Sequence, residues 1–184
     1  MLILELSVLI LLLLIFIVIY IPRVIRTILS HDAPFIPTKN SALPHIVEAL
    51  SLTEGSVFYD LGCGDGRILK AAVADAQKKG VHVSGIGIDN DWLPALFAKI
   101  RTQNLPITIK RGDISSFNLS DATHVYVYLL PSMLLDIERQ IREQCKPGTK
   151  VVALDFPLPS LIKEKEVAIP GKRLLSRTLY SYTV

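Results

Sequence analysis

The chain has little cysteine, a single tryptophan and no strong excess of charge of either sign. Its two cysteines, Cys63 and Cys145, form neither a disulfide framework nor zinc-ligand spacing. A reducing compartment is their natural setting. The four histidines, His31, His45, His82 and His124, are scattered singletons, so no metal is expected. A formal net charge of +3, from 20 basic and 17 acidic residues, is too small and too dispersed for a nucleic-acid footprint. No internal repeat or low-complexity stretch occurs. The 184 residues suit about one domain.

Charge is missing altogether from one end. Residues 1–22 contain no Lys or Arg and one acid, Glu5. From Leu2 to Ile21 the chain is apolar except at Glu5, Ser7 and Tyr20. About 20 such residues, at a rise of roughly 1.5 Å each, match a hydrocarbon core of roughly 30 Å. A cleaved signal peptide would have a basic start, a shorter apolar stretch and a small-residue cleavage site. A buried core helix would carry a polar stripe. Residues 1–29 are therefore expected to be a transmembrane anchor helix and its juxtamembrane end, in contact with membrane lipid. Arg23 and Arg26 follow the span and no basic side chain precedes it. The positive-inside rule then makes this a single-pass protein, N-terminus outside and the remainder cytoplasmic.

Residues 30–52 read as a linker and a short helix. HDAPFIPTKN (31–40) holds two prolines without periodicity, while Leu43, Ile46, Val47 and Leu50 fall at helical spacing with Pro44 in the first turn. From 53 to 184 the pattern is that of one α/β domain. Strands are expected at 56–60, 81–89, 107–110, 123–130 and 150–156, with helices at 67–79, 91–103 and 131–145 between them. In the helix at 91–103, Trp92, Leu93, Leu96, Phe97 and Ile100 define the face expected to meet the core. Apolar strands alternating with helices argue for a parallel sheet covered on both faces. The last two β-like runs, near 165–169 and 173–184, have no helix between them and suit an antiparallel hairpin at the sheet edge.

The chemistry is concentrated in Asp60-Leu61-Gly62-Cys63-Gly64-Asp65-Gly66-Arg67, between the first strand and its helix. Glycines at 62, 64 and 66 allow a sharp turn and remove Cβ atoms from the ligand's path, and the helix start favours an anion. A glycine pattern alone is weak, because dinucleotide enzymes use G-x-G-x-x-G. Here the form is D-x-G-x-G-x-G, and two more acids follow successive strands. Asp89 ends the second strand, where it suits ribose hydroxyls. Asp113, in Arg111-Gly112-Asp113-Ile114, follows the third, where it suits an adenine amino group or serves as a loop cap.

These motifs resemble the class I, seven-stranded S-adenosylmethionine-dependent methyltransferases. The resemblance narrows through Ala33-Pro34-Phe35-Ile36-Pro37-Thr38, Asp60 to Arg67, Tyr128-Leu129-Leu130-Pro131-Ser132-Met133 and Asp155-Phe156-Pro157-Leu158-Pro159. They look like the small membrane-associated protein-lysine methyltransferases whose mitochondrial members modify the ATP synthase c-subunit and the adenine nucleotide translocase. The resemblance implies a Rossmann-like, doubly wound, mostly parallel sheet in the order 3-2-1-4-5-7-6, with the seventh strand antiparallel. It implies S-adenosyl-L-methionine as cofactor and a protein lysine as acceptor. Asp60, Gly62, Gly64 and Gly66, with Cys63 packed among them, would surround the methionine part. Asp89, with Asn90 beside it, would bind ribose, and Asp113 and Ile114 would border adenine. Phe35 and Thr38 would fold over the cofactor. Tyr128, Pro131 and Phe156 are the acceptor-pocket candidates, with Tyr128 also bordering the cofactor. An Asn-Pro-Pro-Tyr signature is absent after strand four, against adenine or glutamine acceptors, and no general base stands out. The competing readings are a nicotinamide-dependent Rossmann oxidoreductase and a non-catalytic, membrane-tethered module that binds S-adenosylmethionine.

Overall fold

The computed structural model describes residues 2–29, 37–170 and 177–184; within the first segment, side chains are described at 5–18, 20 and 21. The chain divides into two units, Met1–Pro34 and Phe35–Val184. The first holds helix α1 (Leu2–Leu29). All of its described side chains are exposed, and Phe16 stacks on Tyr20 with ring centroids 4.4 Å apart. Among the described residues no helix is long and apolar enough to cross a membrane. The flanking Arg23 and Arg26, on which the expected orientation depends, lie outside the described side chains.

The second unit is built on a seven-stranded sheet in the order β3-β2-β1-β4-β5-β7-β6. Its strands are β1 (Val57–Leu61), β2 (Ser84–Asp89), β3 (Ile107–Arg111), β4 (His124–Val127), β5 (Lys150–Leu154), β6 (Lys163–Ile169) and β7 (Arg177–Thr183). The first five pair in parallel, and β7 runs antiparallel to both β5 and β6. The expected order and edge hairpin are both present. Strands β2 and β4 are shorter than the apolar runs at 81–89 and 123–130. Residues around His82 are diverted to Glu54, whose carboxylate accepts from the His82 amide at 2.7 Å, and Pro131 opens the next helix. Side chains alternate across the sheet with period two. Phe58, Tyr126, Val152 and Leu154 enter one core layer, while Tyr59, Leu61, Val125, Val127, Val151 and Ala153 enter the other.

Helices α2 (Leu43–Leu50) and α3 (Arg67–Lys78) cover the first layer. Ile46 and Leu50 of α2 are fully buried, a contribution of about 1.5–3 kcal/mol each. Helix α5 (Pro131–Gln144) covers the second through Leu134, Ile137 and Ile141. Helix α4 (Trp92–Thr102) corrects the sequence reading. Its buried residues are Pro94, Ala95, Ala98 and Thr102, whereas Trp92, Leu96, Phe97 and Ile100 are exposed. The cause is a narrow gap. A Cβ on Gly66 would lie 3.0 Å from the Cβ of Ala98, so only small side chains fit on that side.

One buried histidine makes the fold acid-sensitive. His124 is 5 % exposed; its Nδ1 lies 2.9 Å from Thr123 Oγ1, and its Nε2 is buried with no hydrogen-bond partner among the described residues. Burial, with Lys150 adding to it, lowers its pKa to about 4. The folded value is below the unfolded one of about 6.5, so this stability is complete above pH 6.5 and is lost as pH falls toward 4. The loss is on the order of 3 kcal/mol. Urea unfolding at pH 7 and pH 4.5 should therefore show a smaller difference for His124→Gln than for wild type.

Candidate active site

Strand β1 delivers the glycine loop to the point where the sheet order reverses, between β1 and its neighbours β2 and β4. Gly62, Gly64 and Gly66 have φ of +77°, +54° and +72°, all left-handed. Only glycine adopts this series without strain. The Gly62 and Cys63 amides both donate to the Ile88 carbonyl, at 2.9 and 3.0 Å, tying the loop to β2. A Cβ on Gly62 would also stand 2.7 Å from Leu129 Cδ2. Cys63 is buried, and burial pushes its thiol pKa far up, which suits packing and not nucleophilic chemistry.

The carboxylates at the three strand ends have three different states. Asp60 is 2 % exposed and its Oδ2 has no hydrogen-bond partner among the described residues. Burial first, then the neighbouring Asp89 and Asp65, push its pKa well above the usual carboxylate range. Beside it in register, Tyr126 buries its hydroxyl close to Thr38 but outside hydrogen-bond geometry. Asp89 accepts from the Gly64 amide through Oδ2 and from the Asp91 amide through Oδ1, both at 2.8 Å. It therefore fixes the glycine loop against β2. Asn90 follows, half-buried. Asp113 is exposed and caps the 3-10 turn Ile114–Ser116, accepting from the Ser115 amide and hydroxyl at 2.9 Å each. Ile114 is buried in the second core layer.

Sequence reading missed the clamp around this loop. Asp65 is buried and pairs with Arg67 at 2.7 Å and with Arg101 of α4 at 2.6 Å. Burial alone would raise its pKa, but the two guanidinium groups outweigh that and hold it below the usual range. Arg67 also donates to the Thr38 carbonyl at 2.6 Å, fastening the segment that precedes α2 to the loop. Phe35 lies outside the described residues. The Asp-x-Arg spacing at 65–67 was the available signal for the first pair; Arg101 gave none.

Among the acceptor-pocket candidates, Tyr128 is half-buried just past β4, Pro131 is exposed at the start of α5, and Phe156 is half-buried just past β5. Tyr128 and Phe156 pack against opposite core layers. Between Leu154 and Phe156 the chain turns abruptly. Asp155 has φ +64°, and the Phe156 amide donates to the Leu154 carbonyl at 2.9 Å, a strained three-residue turn. Its carboxylate receives Arg177 Nη1 at 2.7 Å, and the same nitrogen lies 2.7 Å from the Tyr128 hydroxyl. The guanidinium also sits over the Tyr128 ring, 5.1 Å from its centre. Arg177, itself anchored by Asp155, thus holds Tyr128 through both its hydroxyl and its ring.

Comparison with known proteins places this geometry in a family. A model of the ANTKMT methyltransferase domain matches residues 60–165. A protein-lysine N-methyltransferase of Saccharolobus islandicus is 28% identical over 153 residues, 82% of this chain and 93% of that one. The mouse adenine nucleotide translocase lysine N-methyltransferase is 30% identical over 148 residues, covering 74% of this chain and 59% of its own length. The chain spans about half the length of the vertebrate relatives, 53% for the human lysine N-methyltransferase of the ATP synthase c-subunit. Among solved structures, an RNA methyltransferase of Salinibacter ruber in complex with S-adenosyl-L-homocysteine superimposes with a TM-score of 0.69. It is 30% identical and covers 81% of this chain and 94% of its own. The glycine loop, the strand order and a family model spanning more than half of the residues agree: the chain belongs to the ANTKMT methyltransferase domain family and is a class I S-adenosylmethionine-dependent methyltransferase.

Proposed function

We propose that the chain methylates the ε-amine of a lysine on a protein at or near a membrane. In this reading α1 anchors it as a single span, with the N-terminus outside and the catalytic unit in the cytoplasm. The observation that carries the cofactor side is the buried, unpartnered Oδ2 of Asp60 beside three left-handed glycines. An ammonium group supplies the donor that this oxygen lacks, and its charge favours the ionised carboxylate. Asp60, Gly62, Cys63, Gly64 and Gly66 would hold the methionine part, Asp89 and Asn90 the ribose, and Asp113 and Ile114 the adenine. Phe35 and Thr38 would close over it. With one Asp113 oxygen engaged in capping, adenine would take the other.

The bound sulfonium supplies a methyl carbon already activated for displacement, so the chain's own task is positioning, worth up to roughly 7–11 kcal/mol. The acceptor amine must arrive neutral. Half-buried Tyr128, Phe156 and Met133 and buried Leu129 surround the strand ends with apolar surface, which lowers an ammonium pKa and releases its proton to solvent. Tyr128, held by Arg177, would orient the amine, with Pro131 at the rim. The names of the relatives support a lysine acceptor, and the apolar run in α1 supports a membrane setting.

The test is incubation of membrane and soluble fractions with methyl-labelled S-adenosylmethionine and either wild type or Asp60→Ala. Label should appear as N-methyllysine in membrane-fraction protein with wild type alone. Label in RNA or lipid would overturn the acceptor, and label confined to soluble protein would overturn the membrane setting.

A further inference from the structure

Four of the large hydrophobic side chains exposed in the second unit, Trp92, Leu96, Phe97 and Ile100, lie on α4. Leu96, Phe97 and Ile100 are 45 %, 51 % and 57 % exposed and share one helical face through their i, i+1, i+4 spacing. The fold does not need this face, because Ala95, Ala98 and Thr102 already pack the opposite one. The surroundings are basic. Neither α4 (WLPALFAKIRT) nor the adjoining edge strand β3 (ITIKR) contains an acid, and Lys99 and Arg111 are exposed. Arg101 is engaged by Asp65, and the nearest acids along the chain, Asp91 and Asp113, both serve as caps.

We infer that the outward face of α4 is a docking surface for an anionic lipid bilayer. An apolar stripe with cationic flanks and no acid is the pattern of a helix that lies in a membrane interface. Two copies meeting through this face would bring like charges together, which disfavours self-association. The inference rests on the proposed membrane setting and deepens it. A span in α1 would tether the catalytic unit to the bilayer through the chain itself. Because α4 follows Asp89 directly, docking it would bring the cofactor edge of the sheet to the lipid surface, where a membrane-embedded acceptor presents its lysine.

Trp92 is the chain's only tryptophan and reports on this helix directly. The full chain is reconstituted with vesicles of phosphatidylcholine and phosphatidylglycerol carrying brominated acyl chains, which quench indole at short range. Trp92 emission should fall at least about twofold relative to unbrominated vesicles, and less in vesicles lacking the anionic lipid. A triple variant, Leu96→Gln, Phe97→Gln and Ile100→Gln, should still float with the vesicles and bind S-adenosylhomocysteine, yet lose the quenching. If wild type floats with vesicles but Trp92 is unquenched, the docking surface is overturned and the anchor stands. If the chain does not float with vesicles at all, the anchor falls with it. Unquenched Trp92 together with a doubled mass in detergent assigns the face to a second copy and overturns the proposal.

Discussion

Replacing Asp60 with asparagine is expected to stabilise the ligand-free protein and to remove most of its affinity for S-adenosylhomocysteine. The two effects have one cause. In the free protein a buried carboxyl oxygen lacks a donor, and burial together with Asp89 and Asp65 raises its pKa far above 3.8. A folded pKa above the unfolded one gives stability that is present below pH 3.8 and is lost as pH rises through the folded value. At neutral pH the carboxyl therefore opposes folding, through either a buried charge or the uptake of a proton. Asparagine removes that opposition, a gain of about 1–3 kcal/mol, or roughly 2–4 °C in Tm for each kcal/mol. The ligand's ammonium then loses a charge-assisted hydrogen bond, weakening binding by about 10- to 100-fold. Thermal melts of both proteins with and without ligand test the pair. A variant that melts lower and still binds as tightly would show that Asp60 is structural.

Arg177→Leu should do the opposite to stability. It leaves the Asp155 carboxylate, 23 % exposed, without its cation and removes the donor to Tyr128. A cost of about 2–3 kcal/mol follows from breaking a largely desolvated pair. Methyl transfer should slow on the order of tenfold through kcat, with KM for S-adenosylmethionine unchanged, since Tyr128 loses its fixed position but the glycine loop is untouched. Arg177→Lys restores charge without the planar fork and should recover stability more than turnover. An unchanged kcat in a folded Arg177→Leu protein would remove Tyr128 from the reaction.

The contrast between these two sites also marks what the sequence could convey. Asp60 and the glycines lie within seven consecutive residues, and each local choice there answers a local need: a strand end, a sharp turn, a helix start. The central strands were legible for the same reason, since each is a short continuous apolar run bounded by turn residues. Tyr128, Asp155 and Arg177 are brought together by strand order instead, Tyr128 and Arg177 being 49 residues apart. No spacing rule reaches that far. Helix α4 failed differently. Its periodicity identified an apolar face correctly, but not which face turned inward, because the deciding fact was the missing Cβ of Gly66 on another element. Asp113 shows the limit of residue type: one aspartate after a strand can cap a turn and still be available to a ligand.

The strand order also constrains how the molecule is made. Among the described residues, strand β6 lies at the sheet margin and pairs with β7 alone, although it precedes β7 in the chain. While a ribosome is still translating residues before Arg177, β6 has nowhere to bind. It must wait, solvated, until β7 emerges and inserts between it and β5. Its sequence, Lys163–Ile169 (KEKEVAI), tolerates that delay, because alternating charges along the first half keep a waiting strand soluble and discourage it from joining a neighbouring nascent chain.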